Sequence, residues 1–235
     1  MWNKISDIID SILKTIYPDS CQVCGCSLVR GEKVLCLHCL SSLPYVRDNN
    51  NSFNSVHERL ASTQPIDRAA AMFYYHKGSP HANLILKAKY NSQPYIVRHL
   101  ARIEASRLKT EDFFADIDGI VPVPMHWWKK IRRGYNQSEY IAQGIKDMTG
   151  IPVYKNLVGT QYHSTQTRKG LFQRWKNASN SYYARQSPAP EIKHLLIVDD
   201  VLTTGATILS VCTALRAKTP DLRISVLSLA LTAHE

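Results

Sequence analysis

The chain is short of acid. Its 235 residues hold 29 Lys and Arg against 19 Asp and Glu, a net charge of +10. It has no long apolar run: nothing approaches the ~18 consecutive apolar residues of a membrane-spanning helix. Its first residues do not set a basic region, an apolar block and a small-residue cleavage site in series, so a signal peptide is not expected and a cytoplasmic location is. There is no G-x-x-x-x-G-K-[ST], which excludes a Walker-type nucleotide loop, and no G-x-G-x-x-G, which excludes the dinucleotide fingerprint. No internal repeat occurs. What is present is an ordinary apolar fraction of 44%, enough for one α/β domain with a smaller addition.

The basic excess is local. Between Val121 and Lys176 there are ten Lys and Arg and two acids, Glu139 and Asp147. Such a segment suits pyrophosphate, nucleic acid or an acidic membrane surface.

One stretch organises the chain. Leu195, Leu196, Ile197 and Val198 run without alternation, as in a parallel strand buried on both faces. Asp199 and Asp200 stand where that strand is expected to end. Thr203, Thr204, Gly205, Ala206 and Thr207 form a short loop, and Ile208, Val211, Cys212 and Leu215 recur at helical spacing. Ligands of open α/β sheets sit beyond the carboxyl ends of strands, and a helix N-terminus attracts anions. Strand, acidic pair, hydroxyl-rich loop and helix together describe a site for a phosphorylated sugar. The carboxylates accept hydrogen bonds from ribose hydroxyls, and the loop donates to a phosphate. A buried strand with an acidic helix cap is the plainer alternative.

The cysteines cluster. Cys21, Cys24, Cys36 and Cys39 form two C-x-x-C knuckles. Two knuckles aim four thiolates at one point and complete a tetrahedron around Zn²⁺ with no open position, so the metal is expected to be structural. A disulfide pair or a redox C-x-x-C is the alternative. Cys26 is an extra thiol, His38 is a possible substitute ligand, and Cys212 falls on an apolar helix face as a core residue.

Residues 2–16 put Ile5, Ile8, Ile9, Ile12, Leu13 and Ile16 on one helical face that suits packing against a neighbouring module. Residues 1–46 are taken as this helix with the zinc module, 47–66 as a polar linker, and 67–235 as the main domain. Within the main domain Ala69–Tyr75 predicts a strand, and 80–109 a helix interrupted near Asn91–Pro94. Lys87 and Lys89, in Leu-Lys-Ala-Lys-Tyr, are expected at a solvated helix end. Gly119–Pro124 predicts a buried strand with prolines at its exit. The basic loop 125–137 follows, with Trp127, Trp128 and Tyr135 among its cations, then a helix with Asn136 and Glu139 as a capping box. Val153–Val158 and Ile224–Thr232 are further strands. Residues 160–178 are polar and basic, the composition of a lid over a charged substrate.

In order, the four-cysteine knuckle, Leu-Lys-x-Lys-Tyr, Val-Pro-Val-Pro with Arg-Arg-Gly-Tyr-Asn-Gln, a Thr-Gln-Thr-Arg loop, and Asp-Asp followed by Thr-Thr-Gly-Ala-Thr resemble the ComF family of competence-related, phosphoribosyltransferase-like proteins. The resemblance implies a type I phosphoribosyltransferase-like parallel sheet flanked by helices, behind a small N-terminal zinc module. It implies phosphoribosyl pyrophosphate (PRPP) bound with Mg²⁺. Residues 203–207 would take the 5′-phosphate, Asp199 and Asp200 the ribose, and 124–137 the pyrophosphate, with 160–178 as the flexible loop. Arg132, Arg133, Arg168 and Lys169 are the cations available to the pyrophosphate. Three functions follow: transfer of phosphoribosyl to an acceptor, handling of single-stranded DNA with the competence machinery in DNA uptake, or PRPP sensing without turnover.

Overall fold

A computed structural model describes residues 19–49, 53–60, 64–160 and 182–233. The predicted helix over 2–16 lies outside the described residues, as does nearly all of the 160–178 loop. In chain order the elements are α1 (Leu37–Ser41), α2 (Ser55–Leu60), β1 (Ala69–Tyr75), α3 (Ala82–Tyr90), α4 (Tyr95–Lys109), β2 (Gly119–Pro122), α5 (Trp127–Arg133), α6 (Gln137–Thr149), β3 (Val158–Thr160), β4 (Tyr182–Ala184), β5 (His194–Leu202), α7 (Ala206–Arg216) and β6 (Arg223–Thr232).

Four strands form a parallel sheet in the order β1-β6-β5-β2. The apolar run of β5 explains its central place. Leu196 and Val198 face one layer, with Leu100 of α4 and Ile141 and Ile145 of α6. Leu195 and Ile197 face the other, with Val56 and Leu60 of α2 and Ile208, Val211, Cys212 and Leu215 of α7. A period-2 strand with both faces apolar must be covered twice, and here it is. α4 and α6 cross closely at Gly144, where a Cβ would stand 2.4 Å from the Arg98 carbonyl oxygen. Arg98 then grips Asp147 through Nε and Nη2 at 2.9 and 3.0 Å.

Several elements differ from the sequence reading. Val153–Val158 is not one strand. Val153 makes a single parallel bridge to Ile120, and β3 begins only at Val158, pairing antiparallel with β4. The basic loop contains α5, capped by His126 at its start and by left-handed Gly134 at its end. The capping box is half made. Asn136 accepts from Ser138 N at 3.2 Å, but Glu139 turns outward to Lys130 at 3.1 Å. Neighbouring lysines outcompete the backbone for that carboxylate.

Pro44, Val46, Asn49 and Asn54 line the outer edge of β1. Tyr74 N donates to Pro44 O and Val46 N to Met72 O. Asn49 then exchanges two hydrogen bonds with Ala71, at 2.8 and 3.1 Å, and Asn54 Nδ2 donates to Ala69 O at 2.7 Å. Buried side-chain amides thus satisfy a strand edge that would otherwise stay unpaired. Asn49 and Asn54 therefore serve a packed role that hydrophobic periodicity does not reveal. Lys87 Nζ of α3 donates to Gln22 O at 2.8 Å, fastening the cysteine-bearing segment to the main sheet's helices.

Candidate active site

The site arises from unequal strand lengths. β2 pairs with β5 only as far as Pro122 opposite Val198, where its two prolines turn the chain away. β5 continues, still paired to β6, through Asp199, Val201 and Leu202. The acidic pair therefore lies within the strand, not at its end as the sequence suggested. From Asp199 onward one edge of β5 faces an open cleft of 860 Å³. The loop from β2 into α5 and α6 forms the opposite wall.

Asp199 accepts from Ser138 Oγ at 3.0 Å and from Asp200 N at 2.9 Å. Burial pushes the Asp199 carboxyl up, and the charge of Asp200 pushes it further, so it titrates at about 7. Asp200 meets Lys89 Nζ at 3.0 Å. Lys89 was expected at a solvated helix end. The motif Arg-Arg-Gly-Tyr-Asn-Gln explains its placement: the Tyr135 hydroxyl and Gln137 Nε2 (3.0 Å) both donate to Ala88 O, tying the end of α3 to the start of α6. Tyr135 is thereby half-buried, its hydroxyl committed to α3 and its ring set edge-on to Tyr140.

The loop after β5 exposes Thr203 and Thr204, while Gly205 is buried in the left-handed conformation as the N-cap of α7. Thr207 lines the cleft together with Tyr182 of β4. Burial raises the Tyr182 phenol to about 12, with the charge of Asp199 adding to it. The sequence carried no signal for Tyr182, because it meets Asp199 only through the β3–β4 hairpin.

Across the cleft stand Arg132 and Arg133. Arg133 Nη1 donates to Gln137 Oε1 at 2.7 Å, and its guanidinium lies 5.5 Å from the Tyr90 ring centroid. Arg132 makes no ion pair among the described residues. Arg168 and Lys169 lie outside the described residues. The structure therefore brings Asp199, Asp200, Thr207, Arg132 and Arg133 to one cleft and places Thr203 and Thr204 at the exposed turn beside it. An acidic pair, a helix N-terminus and a basic wall around one space can hold a polyanionic sugar between two phosphate-binding ends.

Residues 90–231 match the family described as Phosphoribosyl transferase domain. The chain belongs to that family. Among curated proteins it is similar to "Competence protein F" of Haemophilus influenzae, 28% identical over 198 residues and covering 82% of each chain. It is 27% identical over 191 residues to the "DNA utilization protein YhgH" of Escherichia coli, covering 80% of each chain. These similarities make it a ComF-type phosphoribosyltransferase-like protein. Two solved structures overlap weakly. The glutamine PRPP amidotransferase of B. subtilis gives a TM-score of 0.37 at 19% identity, covering 61% of this chain and 30% of that one. The adenine phosphoribosyltransferase of Leishmania tarentolae gives 0.35 at 13% identity, covering 73% and 80%.

This phosphoribosyltransferase-like chain also carries the cysteine cluster. The sulfurs of Cys21, Cys24, Cys26 and Cys36 all lie within 4.8 Å of one another. Cys24 and Cys36 are 3.8 Å apart, which matches the edge of about 3.8 Å expected of a tetrahedron with Zn–S bonds near 2.3 Å. Cys39 is buried, its thiol interacts with those of Cys21, Cys24 and Cys36, and its N–H donates to Cys36 Sγ at 3.4 Å. The group within mutual reach thus holds Cys26 in the place the sequence reading gave to Cys39, and all these thiols are free of disulfides. Burial raises the Cys21 thiol, but N–H groups of Cys24, Cys36 and Val23 outweigh that and bring it down to about 6. The Cys24 thiol is also lowered, mainly by the backbone N–H of Cys26, whereas hydrogen bonds to its neighbours push the Cys26 thiol up. Four converging free thiols fit a metal ion. His38 is exposed and outside the cluster. No helix among the described residues is long and apolar enough to cross a membrane.

Proposed function

We propose that the cleft binds PRPP as its Mg²⁺ complex and supports transfer of the phosphoribosyl group to an acceptor. The observation that carries this reading is the opposition of Asp199 and Asp200, at the unpaired edge of β5, to Arg132 and Arg133 across one cleft. The 203–207 loop would take the 5′-phosphate on its N–H groups and hydroxyls. The two carboxylates would hold the ribose hydroxyls. In the reaction the acceptor atom bonds to C1′ as the bond from C1′ to the pyrophosphate oxygen breaks. Asp199 and Asp200 stabilise the positive charge developing on the ribose, and Arg132 and Arg133 the negative charge on the departing pyrophosphate. Carboxylate oxygens are the hard donors Mg²⁺ prefers, but Lys89 already neutralises Asp200, so the ion would be held mainly by substrate oxygens. Bound there, Mg²⁺ supplies charge neutralisation of the diphosphate.

The cysteine cluster would hold a structural zinc ion. Free thiols in this number suit a reducing, cytoplasmic setting.

Thermal unfolding tests the ligand. With Mg²⁺ and PRPP at a hundred times Kd, binding adds about 2.7 kcal/mol, a shift of roughly 5–10 °C for a chain this size. Ribose 5-phosphate should shift it much less. No shift with PRPP would overturn the reading. Release of pyrophosphate with an acceptor separates transfer from PRPP sensing.

A second reading rests on α5. Trp127 and Trp128 stack at 4.4 Å between ring centroids and stay half exposed, beside Lys129 and Arg132. Stacked indoles among cations suit single-stranded nucleic acid. A steep fall of DNA binding with salt, undisturbed by PRPP, would favour it.

A further inference from the structure

Arg59 belongs to a segment whose composition suggested only a linker, yet it reaches the loop after β5 and the end of β6. Its Nη1 donates to Thr203 O at 2.5 Å and to Thr232 Oγ1 at 3.0 Å, and its Nη2 donates to Thr232 O at 2.7 Å. One planar guanidinium therefore spans the first residue of the 203–207 loop and the end of β6. The same turn of α2 backs the loop directly: a Cβ on Gly205 would lie 3.0 Å from the Arg59 carbonyl oxygen and 2.9 Å from Leu60 Cδ2. α2 is itself anchored through Asn54, which holds Ala69 O of β1 and accepts from the N–H groups of Val56 and His57.

We propose that Arg59 is a positioning residue for the anion-binding loop, clamping the Thr203 carbonyl from behind so that the loop is preorganised for a phosphate. This rests on the reading of 203–207 as the 5′-phosphate loop. The physical argument is peptide planarity. In a trans peptide the C=O and the following N–H point in opposite directions. Holding Thr203 O against α2 turns the Thr204 N–H away from α2, toward the exposed side of the loop. A loop held in that orientation loses less entropy when an anion binds. The guanidinium also places a fixed positive charge behind the loop, with no contact to the anion itself.

The test uses the full chain and two probes that divide the site. Ribose 5-phosphate engages the 203–207 loop, and inorganic pyrophosphate with Mg²⁺ engages the Arg132–Arg133 wall. Calorimetric titration of wild type, Arg59→Ala and Arg59→Lys is compared. Arg59→Ala is expected to weaken ribose 5-phosphate by about 10- to 100-fold, the size of a lost charged hydrogen bond, and to leave pyrophosphate binding within about twofold. Arg59→Lys, which keeps the charge but not the fork, should fall between the two. Hydrogen exchange in a peptide spanning 203–208 should quicken in both variants. If Arg59→Ala does not fold, the comparison rests on Arg59→Lys. Unchanged ribose 5-phosphate affinity overturns the positioning role. Equal losses for both probes overturn it as well, because they mark a general loss of structure. Failure of wild type to bind ribose 5-phosphate or PRPP, with pyrophosphate still bound, overturns the reading of the loop and this inference with it.

Discussion

Lys89 Nζ lies 3.0 Å from Asp200 Oδ2, the two side chains only 22% and 13% exposed. The pair joins α3 to the open edge of β5. Lys89 is thus the cation that allows two adjacent carboxylates to share one cleft. Removing one partner of a largely buried pair leaves the other charge unmatched. Lys89→Met is expected to cost about 1–3 kcal/mol of stability and to weaken PRPP about tenfold, checked by denaturant unfolding and by titration. The neighbouring Lys87→Met, which touches Gln22 and not the cleft, should leave PRPP affinity unchanged.

Asp199 predicts a pH dependence. Burial first, and Asp200 second, raise its carboxyl to about 7, against about 3.9 in an unfolded chain. Between about pH 4 and pH 7 the unfolded state has lost this proton while the fold retains it. Stability from this group is therefore full below about pH 4, falls as pH rises to about 7, and is flat above. Asp199→Asn keeps the shape and the Ser138 contact but cannot ionise. It should unfold at a higher temperature than wild type at pH 8 and at the same temperature near pH 4, by calorimetry at both.

The double substitution Asp199→Asn with Asp200→Asn should abolish the thermal shift from Mg²⁺ and PRPP. Metal content of the cysteine cluster should be unaffected, since the two sites share no residue. A PRPP titration unchanged from wild type would remove the carboxylates from the site.

Gly205 combines a φ of +79° with backbone and side chain of α2 standing where a Cβ would go. Gly205→Ala meets both the left-handed penalty and the contact with Leu60, a cost of about 1–3 kcal/mol. Loop displacement should reduce PRPP affinity by more than the stability loss accounts for, measured by titration below the unfolding temperature.

Elemental analysis should find about one zinc per chain. Cys36→Ser with Cys39→Ser should lose most of it. Cys26→Ser tests the fourth ligand, because Cys26 and not Cys39 lies with Cys21, Cys24 and Cys36 within 4.8 Å; retention of zinc would keep Cys39 as that ligand. Loss of zinc in Cys26→Ser alone would exchange Cys26 for Cys39 in the ligand set.

Much of this site was legible in one dimension. Leu195–Val198 could only be a strand covered twice, because no face of it is polar, and the acidic pair, the Thr-Gly loop and the helix after it are contiguous in sequence. Two C-x-x-C knuckles announce a shared point because each carries its own geometry. The parallel sheet and the strands at 69–75 and 224–232 follow from the same apolar patterning. Only the tertiary structure decided the rest. Where β2 stops relative to β5 depends on register between strands some seventy residues apart, and that register opens the cleft at Asp199. Lys89, Tyr182 and Arg59 reach the site from α3, β4 and α2, each in a local setting that looks like a helix end, a hairpin or a linker. Their roles depend on which atom lies opposite, and a sequence states neighbours along the chain, not across it.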